Sequence, residues 1–343
     1  MVAQIDRKML ALRPIKALTR VLCWALWEGR PLTTRGRWIN PLVMLGFRVA
    51  QAFPVLKSSQ SPLFIVGTGR SGTTVLGKLL SVHQDIVFLN EPKALWHFAC
   101  GDEDVIGSYS TKSGSFRLDV RNATGGVGST FKHVHSLIMF LTGTRKVVDK
   151  YPECVFRTNY IFRLFPRARF IAIRRNGVDT CASVDSWSKR HGVRHQEEVH
   201  DWWGKDDRKW RTLVSELVPE HDDLNAIKDI LQNTSRHTDR AAVEWIVSMR
   251  EIQRLSKAHP REVLSISYED LCTHPSLVLG DIQEFAGVSD DKVPEIYGAT
   301  LLDEAEPYPA IELTEELLQP FVVTLKEMGY ADAVNRVSAR FAQ

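Results

Sequence analysis

A short apolar run that ends in a glycine loop most constrains the fold of this chain. Residues 63–66 read Leu-Phe-Ile-Val, with Pro62 before them and Gly67 after them. An apolar run bounded by turn residues is typical of a buried parallel strand. Residues 71–82 then repeat apolar side chains at helical spacing. The segment therefore predicts a strand, a glycine loop and a helix.

Further strands and helices alternate along the chain. Apolar runs predict three more strands, at 86–89, 169–173 and 263–267. Helical patterns lie between them, notably at 159–165, 178–187 and 240–255. Strands that alternate with helices predict an α/β fold, in which a mostly parallel sheet carries helices on both faces and forms three layers.

The glycine loop has the composition of an anion site. Residues 67–74 read Gly-Thr-Gly-Arg-Ser-Gly-Thr-Thr. Backbone N–H groups of such a loop, together with the amino end of the helix after it, bind phosphate or sulfate-like groups. The Walker pattern would place a lysine at position 73, where this chain has Thr73. The loop keeps the anion cradle, and its own cation is Arg70.

Residues 64–74 resemble the loop that holds the 5′-phosphosulfate in sulfotransferases that use 3′-phosphoadenosine 5′-phosphosulfate (PAPS). The Arg-Ser-Gly-Thr-Thr at 70–74 is similar to the variant in tyrosylprotein sulfotransferases and in many bacterial and carbohydrate sulfotransferases. The resemblance implies the P-loop-like sulfotransferase fold. It also implies that the loop binds the donor through Gly69, Arg70, Ser71, Gly72, Thr73 and Thr74.

Three later segments resemble the same family. Arg175 and Ser183, eight positions apart, are similar to the Arg and Ser that bind the 3′-phosphate. Arg174 precedes Arg175, so the sequence leaves open which of the two faces this phosphate. Lys150, in a Lys-Tyr-Pro run, resembles the lysine at the bridging oxygen of the donor. Tyr268, in a Tyr-Glu-Asp-Leu run, resembles a residue near the nucleotide.

Glu91 completes the resemblance. It lies 21 positions after Arg70, just past the predicted strand 86–89. In that offset it resembles the glutamate that serves the tyrosine enzymes as general base. Ligands of parallel α/β sheets lie beyond the carboxyl ends of the strands, so the loop and Glu91 are expected to meet. The resemblance thus implies Glu91, Lys150 and Arg70 as catalytic residues.

The implied reaction is an in-line transfer of a sulfuryl group from PAPS to a hydroxyl. Such a transfer depends on positioning and electrostatic stabilisation, and the cationic side chains remove the need for a metal. Sugars, lipids, phenols and peptide tyrosines all carry suitable hydroxyls, and we favour a glycan or glycolipid. The alternatives are a P-loop kinase or NTPase with an atypical loop, and a non-catalytic adaptor at a membrane surface.

Two regions lie outside the resemblance. Residues 1–60 mix basic and apolar side chains, which predicts either a helix packed on the main domain or a basic helix at a membrane surface. The apolar run 21–27 is too short to span a bilayer. Residues 61–343 are predicted to form one domain. Within it, the stretch from about 187 to 235 is interpreted as an irregular, tryptophan-rich lid over the substrate.

Composition adds a few exclusions. Forty-four Lys and Arg against 41 Asp and Glu give a net charge of +3, too slight an excess to indicate a nucleic-acid partner. The five cysteines are scattered without C-x-x-C spacing, so neither a disulfide framework nor a zinc site is indicated. His191, His195 and His200 lack the spacing of a metal site. We expect a cytoplasmic enzyme, with peripheral membrane contact through residues 1–60 as a further expectation.

Overall fold

Five parallel strands form the central sheet of the protein. The computed structural model describes residues 4–31, 33–34, 36–57, 61–112, 114–195, 198–302 and 308–340. Its strands are β1 (Leu63–Gly67), β2 (Ile86–Asn90), β3 (Lys146–Lys150), β4 (Arg169–Arg174), β5 (Val193–His195), β6 (Glu198–Asp201), β7 (Gly204–Lys205), β8 (Val263–Ser267), β9 (Ile311–Thr314) and β10 (Val337–Arg340). The central sheet has the order β2-β3-β1-β4-β8, and its neighbouring strands are all parallel.

Helices cover both faces of this sheet. They are α1 (Arg7–Leu12), α2 (Pro14–Leu26), α3 (Asn40–Ala52), α4 (Thr73–Ser81), α5 (Lys93–Ala99), α6 (Gly125–Thr142), α7 (Thr158–Leu164), α8 (Gly177–His191), α9 (Arg208–Glu216), α10 (Asp222–Asn225), α11 (Lys228–Asn233), α12 (His237–Ala258), α13 (Tyr268–Thr273), α14 (Pro275–Ala286), α15 (Val293–Gly298) and α16 (Glu315–Glu327). Among the described residues, no helix combines the length and the apolar character needed to cross a membrane.

Strand β1 shows how the layers arise. Its side chains alternate between the two faces, as the two-residue period of a strand requires. Leu63 and Ile65 belong to the apolar core beneath α4 and α14, whereas Phe64 and Val66 belong to the core beneath α3, α6 and α12. The sheet therefore has helices on both faces, which confirms the predicted three-layer α/β fold.

One strand of the central sheet was not predicted. The four predicted strands agree with β1, β2, β4 and β8 to within a residue at each end. Strand β3 lies between β1 and β2, yet only Val147 and Val148 in it are apolar. Asp149 and Lys150 are fully buried in the same strand. Because these buried charges break the apolar run, the sequence gives no strand signal there.

The amino-terminal helix α2 packs along the outer strand β2. The Nζ of Lys16 donates to the carbonyl of Ile86 at 2.8 Å, and Nη1 of Arg20 donates to the carbonyl of Phe88 at 2.7 Å. Arg20 also pairs with Glu28 at 2.6 Å, and both of these side chains are buried. An outer strand presents unpaired carbonyls, and here two cationic side chains satisfy them. The inner face of α2 is therefore part of the main domain.

Residues 187–235 are more regular than predicted. Helix α8 extends to His191, the short strands β5, β6 and β7 pair antiparallel, and α9 to α11 follow. Trp203 and Trp210 are buried in the apolar core. The prediction of an irregular segment was wrong because strands of two to four residues are too short to show alternation in sequence.

Candidate functional site

The predicted site residues all lie at the carboxyl edge of the central sheet. The loop with Arg70 follows β1, Glu91 follows β2, Lys150 ends β3, Arg175 follows β4 and Tyr268 follows β8. Parallel strands point their carboxyl ends to the same edge, where ligands of such sheets bind. Each of the five central strands thus contributes one residue to a single region.

The loop after β1 has the backbone of an anion cradle. Arg70 has a φ of +70° and Gly72 a φ of +94°, so the chain turns sharply before α4. No side chain caps α4, and the amides of Thr73 and Thr74 have no acceptor among the described residues. These amides and the positive end of the helix suit an anion. Both donors of Ser71, its amide and its hydroxyl, bond the carbonyl of Thr68, so Ser71 shapes the loop.

Arg70 connects the loop to the segment after β4. Its Nε donates to Oγ of Ser183 at 3.0 Å, although the two residues are 113 positions apart. Arg175 donates from Nη1 to the carbonyl of Arg70 at 3.1 Å, and its guanidinium stacks 4.4 Å above the ring of Tyr268. Arg174 instead donates to the carbonyl of Met328 at 3.2 Å. Of the two neighbouring arginines, Arg175 is the one that contacts the loop.

Glu91 is held between two lysines. Lys150 donates from Nζ to Oε1 of Glu91, and Nζ of Lys93 lies 3.3 Å from Oε2. The backbone of Glu91 has a φ of +48°, and its amide donates to the carbonyl of Lys150 at 2.7 Å. Burial by itself raises the pKa of Glu91, but the two ammonium groups outweigh it and hold that pKa well below the usual carboxyl range. Glu91 is therefore an ionised carboxylate.

A cavity of about 230 Å³ lies between the loop and Glu91. Its lining includes Gly69, Arg70, Thr73, Thr74, Glu91, Lys150, Trp187 and Trp202. A Cβ on Gly69 would come within 2.3 Å of the ring of Trp202, so the insertion rests directly on the loop. Ser71, Gly72, Arg175, Ser183 and Tyr268 lie outside this lining, and the last three are joined to it through Arg70 and the loop.

Part of the cavity wall was not predicted. Oε1 of Glu153 lies 3.5 Å from Nζ of Lys93 and 3.7 Å from Nζ of Lys209. Nζ of Lys209 also pairs with Oε1 of Glu244 at 2.6 Å. The indole of Trp202 donates to the other oxygen of Glu244 at 2.7 Å. Lys93 follows Glu91 by two positions and Glu153 follows Lys150 by three, which are the available sequence signals. Lys209 and Glu244 come from the distant helices α9 and α12, and isolated charged residues in a helix normally indicate a solvated face.

Metal-binding side chains are not gathered in the described ranges. No group of three or more His, Cys, Asp or Glu residues there is arranged to hold a metal ion. Of the three histidines considered above, His200 is buried with Nε2 3.3 Å from Glu198. The side chain of His195 lies outside the described part of the chain.

Replacing Gly72 with alanine should destabilise the protein more than replacing Gly329. Both glycines have left-handed backbones, with φ of +94° and +88°. That conformation costs a residue with a Cβ about 1–2 kcal/mol. At Gly72 the new Cβ would also lie 2.2 Å from the ring of Tyr268, whereas nothing lies within 4 Å at Gly329. Such overpacking adds roughly 1–3 kcal/mol to the loss of unfolding free energy. Equal losses in denaturant titrations would contradict the contact between the loop and Tyr268.

The chain matches a family model over the region that carries most of this site. Residues 62–229 match the model of the Sulfotransferase family. That range includes the loop, Glu91, Lys150, Arg175 and Ser183, and it ends before Tyr268. No curated protein matches the chain.

Several solved sulfotransferase structures are similar to the chain at low identity. Sulfotransferase STF9 from Mycobacterium avium is 14% identical, with 96% of this chain and 92% of that chain covered and a TM-score of 0.46. The sulfotransferase domain of the Synechococcus PCC 7002 olefin synthase is 17% identical, covers 79% of this chain and 96% of its own, and has a TM-score of 0.43. Mouse sulfotransferase SULT7A1, complexed with PAP, is 12% identical. The match covers 75% of this chain and 68% of that chain, with a TM-score of 0.38. Over residues 62–229, just under half of its length, the chain is therefore similar to the Sulfotransferase family.

Proposed function

We propose that this protein is a sulfotransferase that uses PAPS as its donor and Glu91 as the general base that deprotonates a hydroxyl acceptor. The observation that supports this most is the hydrogen bond of 3.0 Å between Arg70 and Ser183. It joins the loop after β1 to the helix after β4. These are the two segments that resemble the binding sites for the opposite ends of the donor.

The residues at the sheet edge fit the charge of this donor. Arg70, Thr73 and Thr74, with the unpaired amides of the loop, would hold the 5′-phosphosulfate. Arg175 and Ser183 would hold the 3′-phosphate through a guanidinium and a hydroxyl, which suit a doubly charged anion. Tyr268, beneath Arg175, would lie beside the nucleotide. When bound, PAPS supplies an activated sulfuryl group on a phosphosulfate anhydride.

Lys150 and Glu91 would divide the catalytic work. Lys150 is paired in register with Ile65 of β1, which places its ammonium one strand away from the loop. From there it brings positive charge to the side where the donor phosphate would depart. Glu91 accepts two ammonium contacts and lines the same cavity, so its carboxylate faces the space for an acceptor. A base in that place takes up the hydroxyl proton.

The acceptor we favour is a glycan or glycolipid. Trp187 and Trp202 line the cavity and lie edge to face, with ring centroids 5.2 Å apart. Both are half-buried, so part of each indole is open to the cavity, and such amphipathic rings suit the apolar faces of sugars. Trp203 and Trp210 are buried in the core and take no part in this surface.

The kinase alternative is disfavoured by the same geometry. The position of the Walker lysine is occupied by Thr73, and the lysines that line the cavity are Lys93, Lys150 and Lys209, none of which belongs to the loop. Magnesium-dependent nucleotide chemistry relies on the Walker lysine and a metal-binding carboxylate. The family match favours the sulfotransferase reading over this alternative.

Calorimetry with 3′-phosphoadenosine 5′-phosphate (PAP) tests the donor assignment. PAP should bind and raise the melting temperature without magnesium, whereas ATP with magnesium should do little. Arg175→Ala should weaken PAP binding by roughly 10- to 100-fold, since hydrogen bonds to charged groups contribute about 1.5–3 kcal/mol. Arg174→Ala is the matched control, because its guanidinium bonds Met328. Equal losses in the two variants would refute the assignment of the 3′-phosphate to Arg175.

Radiolabelled PAPS and a panel of acceptors test the other half of the proposal. Glycans and glycolipids should become labelled, and tyrosine peptides and phenols should not. Labelling of peptides or phenols alone would contradict the acceptor class while leaving the donor assignment in place.

A further inference from the structure

The outer surface of the amino-terminal helices is unusually apolar. Of the eighteen large apolar side chains exposed among the described residues, eleven lie between residues 10 and 56. Monomeric soluble proteins rarely expose contiguous apolar patches larger than a few hundred Å². Such a concentration indicates that this surface contacts something else.

The exposed side chains follow the helical repeat on two neighbouring helices. We call them the apolar face: Ile15, Leu18 and Leu26 of α2, and Leu42, Leu45 and Val49 of α3. Their exposed fractions run from 45% for Leu26 to 76% for Ile15. The opposite side of each helix is buried, for example Lys16 in α2 and Phe47 in α3. Both helices thus present apolar side chains to the solvent, whereas α2 turns the charged side chains of Lys16 and Arg20 towards the sheet.

The two helices form one continuous surface. The carbonyl of Leu26 lies 4.0 Å from where a Cβ on Gly46 would stand, so the end of α2 meets the middle of α3. At the other end of α3, the amide of Leu56 donates to Oγ of Ser136 in α6 at 2.8 Å. Phe140, one turn further along α6, is 52% exposed. Helix α6, which packs against α3, thus adds a further exposed apolar side chain.

Two exposed arginines, in a segment of net positive charge, lie beside this surface. Residues 1–60 contain ten Lys or Arg and two Asp or Glu, in a chain whose total is +3, so the rest of the chain is net negative. Arg37 and Arg48 are exposed and line a groove of about 750 Å³ together with Trp38, which is 78% exposed. Neither arginine pairs with a carboxylate in the ranges that the structure describes. An apolar stripe with basic and tryptophan residues at its border is the pattern of a helix at a lipid interface.

We propose that the apolar face docks on an anionic phospholipid bilayer, with Arg37 and Arg48 contacting the headgroups. Anionic headgroups complement the excess positive charge, and acyl chains complement the apolar side chains. A second copy of the chain would instead bring two positively charged segments together across a symmetric contact, which is unfavourable. The charge therefore selects the bilayer as the partner. This proposal does not depend on the reaction proposed above.

Docking in this orientation has a consequence for the site, and this consequence alone rests on the proposed function. The chain between α2 and α3 lines a second cavity, of about 280 Å³, with Arg30, Pro31 and Thr33 on one side and Glu91 on the other. That cavity thus connects the docking helices with the proposed base. An acceptor hydroxyl on a glycolipid in the same bilayer would approach Glu91 from this side.

Vesicle sedimentation of the full chain tests the docking. The protein should sediment with vesicles of phosphatidylcholine and phosphatidylglycerol, less at high salt, and only weakly with phosphatidylcholine alone. The double variant Arg37→Gln, Arg48→Gln should bind the anionic vesicles roughly 25-fold more weakly, at about fivefold for each cation near the surface. The double variant Leu45→Ser, Val49→Ser should bind the anionic vesicles at least about tenfold more weakly, because it buries less apolar surface in the bilayer.

Matched controls come from outside the amino-terminal helices. Leu277 of α14 and Ile230 of α11 are exposed apolar side chains, and Lys257 and Arg261 are exposed cations that do not belong to these helices. Changing the first pair to serine and the second pair to glutamine should leave vesicle binding within about twofold of the unchanged protein, as expected for residues outside the buried area. Equal sedimentation of all variants would overturn the proposal. So would a dimer in light scattering that Leu45→Ser, Val49→Ser dissociates, since the apolar face would then be a subunit interface. Both readouts are independent of turnover.

Discussion

Glu91→Gln should lower kcat by about 10²–10⁴-fold, the usual contribution of a well-placed general base. Glutamine has the same shape and keeps an oxygen for Lys150, but its amide cannot take up a proton from the acceptor. PAP should bind the variant at least as tightly as it binds the unchanged protein, because the substitution removes a negative charge from the cavity. Steady-state rates with radiolabelled PAPS and titration with PAP separate the two effects.

Glu153→Gln is the matched control for this experiment. Glu153 lines the same cavity and neighbours Lys93 and Lys209, yet each of these lysines keeps another carboxylate when Glu153 is neutralised. Its kcat should fall far less than that of Glu91→Gln. If the two variants have the same kcat, or if Glu91→Gln retains more than about a tenth of the rate, the proton acceptor is another group, since a base contributes at least 10²-fold.

Lys150→Met should lower kcat by about 10²–10³-fold, which is the cost of removing one preorganised donor from a buried transition-state site. Lys150 is buried, so methionine fills its place without a new polar group. The substitution also removes one of the two ammonium groups that depress the pKa of Glu91. That pKa should rise, and because Glu91 must be ionised to act as a base, the acidic limb of kcat/KM should move to higher pH.

Lys93→Met separates the two roles of positive charge in the site. Lys93 contacts Glu91 at 3.3 Å, and it follows β2 rather than lying beside the loop. Its loss should also move the acidic limb of the pH profile of kcat/KM to higher pH. It should lower kcat by less than about tenfold, as expected for a positioning residue that does not stabilise the departing group. If both lysine variants lowered kcat equally, Lys150 would have no special part in the transfer.

The fold was predictable wherever apolar runs mark the strands. Strands β1, β2 and β4 are nearly continuous apolar segments, as expected for strands covered on both faces, and β8 carries three apolar residues among its five. Strand β3 is different, because Asp149 near its carboxyl end is buried and accepts a hydrogen bond of 2.8 Å from the indole of Trp96. Burial raises the pKa of Asp149 to about 8, so this carboxyl tolerates the core. The sequence of an aspartate between a valine and a lysine does not reveal such a partner.

The site was predictable to the extent that its residues belong to strand ends. Arg70, Glu91, Lys150 and Arg175 follow or end strands in motifs of recognisable spacing, and the structure brings them together. Which of Arg174 and Arg175 contacts the loop could not be read from the sequence, because adjacent side chains at a strand end point to opposite sides. The partners Lys209 and Glu244 lie on α9 and α12, and only tertiary packing places them at the cavity.

The contacts of α2 with β2 decide how the amino-terminal region can be studied. A chain cut back to residue 61 would leave the carbonyls of Ile86 and Phe88 without Lys16 and Arg20, and an uncovered sheet margin recruits other strands. The same cut would remove Glu28, whose carboxylate accepts the amide of Asn90 at 2.7 Å, directly before the proposed base. Shortening the protein would therefore favour aggregation and also loosen the proposed base, so single exposed side chains are the appropriate targets in this region.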